Sequence, residues 1–162
     1  MGLKDKIVGI SEIYVGRDFE TIITIGLGSC VGVIVYDDKN SVSGLAHVML
    51  SDSTLFKNTS NPAKFVDSAI PLLIKEIIKK GGLRANLKCK LVGGASMFNF
   101  SDSSIISDVG KRNVLMAKEV LKKENIEIIA EDTLGKKGRT IYLDSKNGEI
   151  SVKTVGGGIK IL

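Results

Sequence analysis

The chain has 162 residues, a formal net charge of +5, one histidine and two cysteines. This length suits one domain with a substantial hydrophobic core, which we expect to span residues 1–162. No apolar run approaches the roughly 20 residues of a membrane span, and residues 1–10 lack the apolar stretch of a signal peptide. Cysteines without a secretion signal are typical of a reducing cytoplasm, where we expect this protein.

The excess of basic residues predicts neither nucleic-acid binding nor membrane insertion. The lysines and arginines alternate with core residues or lie in turns, and no aromatic side chains are interleaved with them. One histidine and two distant cysteines are also a poor set of zinc ligands. We therefore expect no metal and no other cofactor.

Runs rich in β-branched residues predict about eight strands, and apolar residues at helical spacing predict two helices. In chain order, the predicted strands are residues 6–15, 21–26, 30–37, 41–50, 87–92, 126–131, 138–143 and 149–155. The sequence 147–148 (Asn-Gly) predicts a hairpin between the last two strands, and residues 156–158 are expected to be a flexible end.

The first helix is expected to begin at Pro62, with Asn61 or Ser60 as its cap. It should end at residues 81–82, and the second helix should run over residues 109–124, with Asn125 as its C-terminal cap. This order of elements predicts an α+β fold. Two sheets, or one large curved sheet, should form its centre, with about two main helices packed outside.

The stretch Thr24-Ile25-Gly26-Leu27-Gly28-Ser29-Cys30 ends a predicted strand with a glycine turn and a cysteine. Gly26 and Gly28 allow a positive φ or a close backbone approach, so that N–H groups can converge near the Cys30 sulfur. Such N–H groups can stabilise a thiolate or an oxyanion, and Gly28 and Ser29 are the turn positions expected to shape this environment. A free cysteine is commonly inert packing, and Cys89, on an apolar strand face, is predicted to be one.

A cysteine nucleophile needs a base, and His47 is the only imidazole in the chain. Cys30 begins the predicted strand 30–37, and His47 lies near the end of strand 41–50. Antiparallel pairing about the loop at 38–40 places Cys30 opposite a residue close to His47. The sequence therefore predicts a Cys30–His47 dyad. An ion pair with protonated His47 is expected to lower the pKa of the Cys30 thiol.

A second glycine turn, Gly93-Gly94-Ala95-Ser96, follows the predicted strand 87–92. Paired glycines after a strand indicate close backbone contacts. Two interpretations stay open for this turn. It is either a structural corner or a wall of the active-site cleft, formed by Gly93, Gly94 and Ser96.

Taken together, the motifs resemble the CheD family of chemoreceptor glutamine deamidases. The matching segments occur in the same order and at similar spacing: residues 26–30 (GLGSC), 46–50 (AHVML), 93–98 (GGASMF), 110–113 (GKRN) and 130–133 (AEDT). The resemblance covers nearly the whole chain. Three positions depart from the family pattern: Ser51 where proline is frequent, Phe65 where tyrosine is frequent, and Leu134 where glycine is common.

The resemblance implies a Cys-His-Thr arrangement with Cys30 as nucleophile, His47 as base and Thr24 as third member. It implies an α/β sandwich similar to the catalytic domain of cytotoxic necrotizing factor toxins. The implied reaction deamidates glutamine side chains on the cytoplasmic helices of chemoreceptors, through a cysteine thioester. The implied protein partner is a CheC-type phosphatase.

Two other functions stay open beside this one. The protein could be mainly a binding regulator of a CheC-type phosphatase, or a thiol-dependent esterase acting on methylated receptor glutamates. A dinucleotide site at Gly26 and Gly28 is not expected, because that fingerprint needs a helix after the turn and a strand follows here.

Overall fold

The computed structural model describes residues 4–96 and 109–162, which contain ten strands and two α-helices. The strands are β1 (Lys4–Ile7), β2 (Ile13–Arg17), β3 (Glu20–Leu27), β4 (Val31–Asp37), β5 (Val42–Val48), β6 (Lys88–Gly93), β7 (Glu127–Thr133), β8 (Arg139–Asp144), β9 (Ile150–Thr154) and β10 (Ile159–Ile161). The helices are α1 (Val66–Lys79) and α2 (Val109–Lys123). Short 3-10 helices cover Ser53–Leu55, Pro62–Lys64 and Arg84–Asn86. Met97 and Phe98 of the motif at 93–98 lie outside the described residues. So does the polar segment 99–107, which the sequence predicts to be a loop.

The strands form two separate five-stranded sheets, with the orders β1-β3-β8-β9-β10 and β2-β5-β4-β6-β7. The β1–β3 and β6–β7 pairs are parallel, and the remaining pairs within these sheets are antiparallel. The expected α+β fold is therefore confirmed, with two sheets rather than one curved sheet.

Two clusters of buried apolar side chains define the layers. The inter-sheet cluster consists of Val8, Ile22, Leu27, Ile34, Tyr36, Leu45, Val92, Ile141, Leu143, Ile150 and Val152. The second cluster joins the other face of the β2–β7 sheet to both helices. Because both faces of this sheet are covered, β4 and β5 are buried along their whole length. The molecule is thus a sandwich of two sheets with the helices outside one of them.

The prediction of one strand over residues 6–15 is wrong. Instead, β1 pairs with β3 in one sheet, and β2 pairs with β5 in the other. The chain turns between them, where Gly9 N–H donates to the Glu12 carboxylate at 2.8 Å and Ser11 has a positive φ of 61°. Residues 8–12 therefore cross between the sheets. The sequence pattern did not predict this turn, because the apolar residues of the segment continue the pattern of a strand.

The beginning of the first helix also differs from the prediction. Asn61 caps Pro62–Lys64 by accepting a hydrogen bond from Ala63 N–H, but this segment is a 3-10 helix. Phe65 then has an extended backbone, with φ −117° and ψ 138°, so α1 begins only at Val66. An extended residue interrupts the helical hydrogen-bond ladder, which is why one predicted helix becomes two.

The predicted helix ends agree with the structure, but the expected flexible end does not. Gly81 and Asn125 follow α1 and α2 with positive φ values of 105° and 56°. Residues 156–158 form a turn rather than a flexible end, and Gly157 N–H donates to the Thr154 carbonyl at 3.0 Å. The strand β10 follows this turn and pairs with β9.

Candidate active site

The central contact of the candidate site joins the two sheets. Thr24 lies on β3 and His47 on β5, and both side chains are fully buried. Thr24 Oγ1 is 2.7 Å from His47 Nδ1, and the same hydroxyl donates to the Val8 carbonyl at 2.6 Å. Val8 belongs to the segment that crosses between the sheets. That segment also holds the His47 backbone, because Ser11 N–H donates to the His47 carbonyl at 2.8 Å.

These contacts determine the tautomer of His47. A hydroxyl has one hydrogen, and Thr24 uses it for Val8. Thr24 must therefore accept a hydrogen bond from His47 Nδ1–H. In the neutral ring this leaves Nε2 with a lone pair, and Nε2 has no hydrogen-bond partner among the described residues. A buried lone pair without a donor is free to accept a proton.

Cys30 and His47 point to the same side of neighbouring strands. The register of β4 and β5 pairs Gly32 with His47. Cys30 lies two residues before Gly32, and residues two apart in an extended chain share a face. That face is the space between the sheets, because Cys30 packs against the inter-sheet cluster and Leu45, two residues before His47, is part of it. The structure therefore brings Thr24, His47 and Cys30 to one end of the gap between the sheets.

The pKa directions oppose the expected ion pair. Burial lowers the pKa of His47 to about 4, and the charge of Glu12 opposes this with a smaller effect. Burial also raises the pKa of the Cys30 thiol, against a lowering by the hydrogen bond from its own backbone N–H. At neutral pH the site therefore holds a neutral imidazole and a protonated thiol. This pair suits general-base catalysis, in which the proton leaves sulfur as the bond to substrate forms.

The second glycine turn lies directly against the cysteine turn. Gly94 N–H donates to the Cys30 carbonyl at 2.8 Å, and Ala95 N–H donates to the Gly28 carbonyl at 2.9 Å. Gly93 has a φ of 107°, and a Cβ atom there would lie 2.4 Å from the Cys30 carbonyl oxygen. Only glycine fits this approach. Gly93 and Gly94 therefore hold the turn that carries the cysteine, while Ser96 N–H donates to the Gly135 carbonyl at 2.8 Å.

Comparison with known proteins identifies the family. Residues 49–154 match the family model "CheD chemotactic sensory transduction". A Clostridium botulinum (strain Alaska E43) protein named "Probable chemoreceptor glutamine deamidase CheD" is 53% identical over 152 residues, which cover 94% of each chain. A Clostridium kluyveri protein of the same name is 50% identical over 160 residues, which cover 99% of each chain. The chain belongs to the CheD family.

The comparison with solved structures gives a more distant similarity. A crystal structure of a Neisseria meningitidis protein, described by the family model DUF152, has a TM-score of 0.49 and 10% sequence identity to this chain. The similarity covers 82% of this chain and 63% of the Neisseria chain. The predicted likeness to cytotoxic necrotizing factor toxins stays a prediction.

In this member of the CheD family, Leu134 occupies a position where glycine is common, and its backbone is strained. Leu134 has a φ of 68°, in the left-handed region that glycine adopts readily. Two hydrogen bonds hold it there: Leu134 N–H donates to the Gly93 carbonyl at 2.9 Å, and the Arg139 guanidinium donates to the Leu134 carbonyl at 2.7 Å. Arg139 is itself buried beside Asp132, at 3.3 Å. The segment after β7 thus supports the glycine turn that in turn supports Cys30.

Sequence reasoning did not single out Asn113, although it noted the motif at 110–113. Asn113 is fully buried on α2, and its Nδ2 donates to the carbonyls of Ser29 at 2.9 Å and Met49 at 3.1 Å. The available signal was an asparagine among the apolar positions of a helical face. Such a residue needs buried partners of its own, and these partners flank Cys30 and His47.

Neither a membrane helix nor a metal site is found in the part of the CheD chain that the structure describes. None of the described helices is long and apolar enough to cross a membrane. Within residues 4–96 and 109–162, no three His, Cys, Asp or Glu side chains come together as candidate metal ligands.

Proposed function

We propose that this protein hydrolyses glutamine side chains on chemoreceptors to glutamate, with Cys30 as nucleophile and His47 as general base. The names of its CheD relatives support the reaction and the substrate class. One observation carries the cysteine mechanism. Thr24 fixes the His47 tautomer, and the free Nε2 shares the space between the sheets with the Cys30 thiol.

In the first half of the reaction, the Cys30 sulfur attacks the side-chain amide carbon. His47 Nε2 takes the thiol proton, a C–S bond forms, and the carbonyl electrons move to oxygen. Backbone N–H groups of Ser29 and Cys30 stabilise the resulting oxyanion, a contribution typically worth 10²- to about 10³-fold in rate per donor. The imidazolium then protonates the nitrogen, the C–N bond breaks, and ammonia leaves a thioester on Cys30.

In the second half, water hydrolyses the thioester. His47 Nε2, again neutral after ammonia has left, removes a proton from water as oxygen attacks the thioester carbon. The C–S bond breaks, and the imidazolium returns its proton to the Cys30 sulfur. The products are the free thiol and a glutamic acid side chain on the receptor, which ionises to glutamate as the released ammonia takes up its proton and becomes ammonium. No proton or electron is left unaccounted for, so the cycle needs no further reactant.

Thr24 acts on the imidazole rather than on the substrate. Its oxygen accepts the Nδ1–H hydrogen bond before and after Nε2 is protonated, which keeps Nε2 aimed at sulfur. A neutral hydroxyl stabilises the imidazolium less than a carboxylate does. The depressed pKa of His47 agrees with this, because the cation gains little from its surroundings.

The test compares two receptor substrates. One cytoplasmic receptor fragment carries glutamine at the modification sites, and the other carries methylated glutamate; ammonia and methanol release are measured separately. We expect ammonia from the first fragment to exceed methanol from the second. Methanol release without ammonia release would favour the esterase. Release of neither, together with stimulation of a CheC-type phosphatase, would favour the regulatory function.

A further inference from the structure

We propose that Asn113 is a positioning residue, which orients the Ser29–Cys30 peptide so that the Cys30 N–H serves as an oxyanion donor. This inference rests on the proposed cysteine mechanism. It extends that mechanism to a helix residue that does not need to touch the substrate. Its basis is the hydrogen bonding of the Asn113 amide and the planarity of the peptide that it holds.

The orientation of the Asn113 amide follows from its neighbours. The two Nδ2 hydrogens match two acceptors, the carbonyl of Ser29 at 2.9 Å and that of Met49 at 3.1 Å. The flipped amide would place Oδ1 against both carbonyl oxygens, where all three atoms only accept. Asn113 therefore donates to both segments. Its single side chain ties the residue before Cys30 to a residue two positions after His47.

The Ser29 contact fixes a particular N–H group. No described peptide bond is cis, and in a trans peptide the C=O and N–H point in opposite directions. When Asn113 holds the Ser29 carbonyl on the α2 side, the Cys30 N–H must point away from α2. That N–H belongs to the residue that carries the sulfur, and it lowers the pKa of the Cys30 thiol, against the larger raising by burial. The group that Asn113 orients is thus beside the attacking atom, where the oxyanion would form.

The two neighbouring peptides are held in the same way. The Gly28 carbonyl accepts from Ala95 N–H, and the Cys30 carbonyl accepts from Gly94 N–H. All three carbonyls of the turn are therefore held from outside it. The Ser29 carbonyl differs because a side chain holds it, so a substitution can remove this support without changing a backbone donor.

The close packing of α2 against the second glycine turn brings Asn113 to the cysteine turn. A Cβ atom at Gly110 would lie 2.5 Å from the Gly94 carbonyl oxygen, so the first turn of α2 lies directly against the second glycine turn. Asn113 follows one helical turn later and is fully buried. Its Oδ1 has no hydrogen-bond partner among the described residues. Burying an amide oxygen without a partner costs free energy, so the two hydrogen bonds that Nδ2 donates are the contacts that offset the burial of this side chain.

The test uses two Asn113 variants and a control on the same helix. Asn113→Asp keeps the shape but replaces both donated hydrogens by an acceptor, whereas Asn113→Ala removes the group. Val120→Ala shortens a buried side chain of α2 away from the cysteine turn. For each protein, kcat and KM on the receptor fragment are compared with the rate of Cys30 alkylation by iodoacetamide.

We expect both Asn113 variants to lose about 10- to 100-fold in kcat with little change in KM, because the oxyanion donor is misaimed. Alkylation of Cys30 should change only a few-fold, since it forms no oxyanion. Val120→Ala should keep the wild-type kcat. Wild-type kcat in Asn113→Asp would overturn the proposal. Parallel losses of kcat and alkylation, or an equal loss in Val120→Ala, would also overturn it.

A second measurement separates this inference from the deamidase mechanism. In ¹⁵N-labelled protein, Asn113→Ala should move the Cys30 amide resonance more than Val120→Ala does. If wild type releases no ammonia, the proposed function fails, and this resonance alone decides whether Asn113 positions the peptide. A Cys30 amide unmoved by Asn113→Ala would show that it does not.

Discussion

Thr24 on one sheet accepts a hydrogen bond from His47 Nδ1 on the other, at 2.7 Å. The hydroxyl can only accept there because its hydrogen is already committed to Val8, at 2.6 Å. The packing of two sheets thereby selects the imidazole tautomer with a free Nε2. This tautomer of the histidine is a consequence of the sandwich and not of the β4–β5 hairpin alone.

Removing the Thr24 hydroxyl should weaken catalysis without abolishing it. We expect Thr24→Val to lower kcat about 10- to 100-fold, because the ring loses its orientation while the nucleophile and base remain. Loss of the buried hydroxyl should also cost about 1–3 kcal/mol of stability, since Val8 C=O and His47 N–H lose a partner. Kinetics and urea unfolding check both effects, with Thr24→Ser as the control that keeps the hydroxyl.

Alanine substitutions of the three site residues should lower kcat to different extents. Thr24→Ala should lower kcat less than Cys30→Ala or His47→Ala, because it removes an orienting group and not a reacting one. Equal losses in three folded variants would contradict this ranking.

The pH dependence of kcat/KM should report the depressed pKa of His47. In the proposed mechanism the neutral imidazole is the base, and burial lowers its pKa from 6.5 to about 4. Activity should therefore hold as pH falls below 6.5 and decline only as pH passes through about 4. Initial rates across this range, with circular dichroism as a control for folding, provide the measurement. An acid limb at or above 6.5 would instead indicate an ordinary histidine.

His47 should also make the free energy of unfolding depend on pH. In the unfolded chain His47 takes up a proton near pH 6.5, but in the folded protein only near pH 4. Between these values the unfolded state binds more protons, so the free energy of unfolding falls as pH is lowered. The contribution is complete above 6.5 and lost by about 4. The free energy of unfolding, measured with urea, should fall more steeply with decreasing pH in wild type than in His47→Gln. Equal slopes would contradict the depressed pKa of His47.

Gly93 should tolerate no side chain. A Cβ atom there would meet the Cys30 carbonyl at 2.4 Å, and the φ of 107° is strained for any other residue. We expect Gly93→Ala to cost about 1–3 kcal/mol of stability and to lower kcat by displacing the cysteine turn. Gly158 is the matched control, because nothing lies within 4 Å of its Cβ position. Unchanged kcat in a folded Gly93→Ala protein would show that this turn does not position Cys30.

Much of the fold follows from local patterns in the sequence. The β-branched runs mark the strands, and Gly81 and Asn125 mark helix ends because both adopt positive φ. The crossing at residues 8–12 was missed since its apolar residues fit either sheet. The strand β10 was missed because it has three exposed residues after a glycine run. Its position depends on pairing with β9, which no local pattern specifies.

In the candidate site, too, some features could be predicted from the sequence and others depend on how the elements pack. The register of one hairpin was enough to place Cys30 near His47 on neighbouring strands, because this pairing is local in the sequence. The roles of Val8 and Asn113 depend on how the two sheets and α2 pack, so they required the structure. The depressed pKa of His47 also depends on burial, which the sequence does not specify. For that reason the pKa directions oppose the expected ion pair, although both of its members face the space between the sheets.

The most direct test of the account is mass spectrometry of a receptor cytoplasmic fragment after incubation with wild type, Cys30→Ala or Cys89→Ala. Cys89 is fully buried and its thiol pKa is raised by burial, which makes it the matched control. We predict conversion of specific glutamines to glutamate by wild type and Cys89→Ala, and none by Cys30→Ala. Conversion by a folded Cys30→Ala protein would contradict the central claim that Cys30 is the nucleophile.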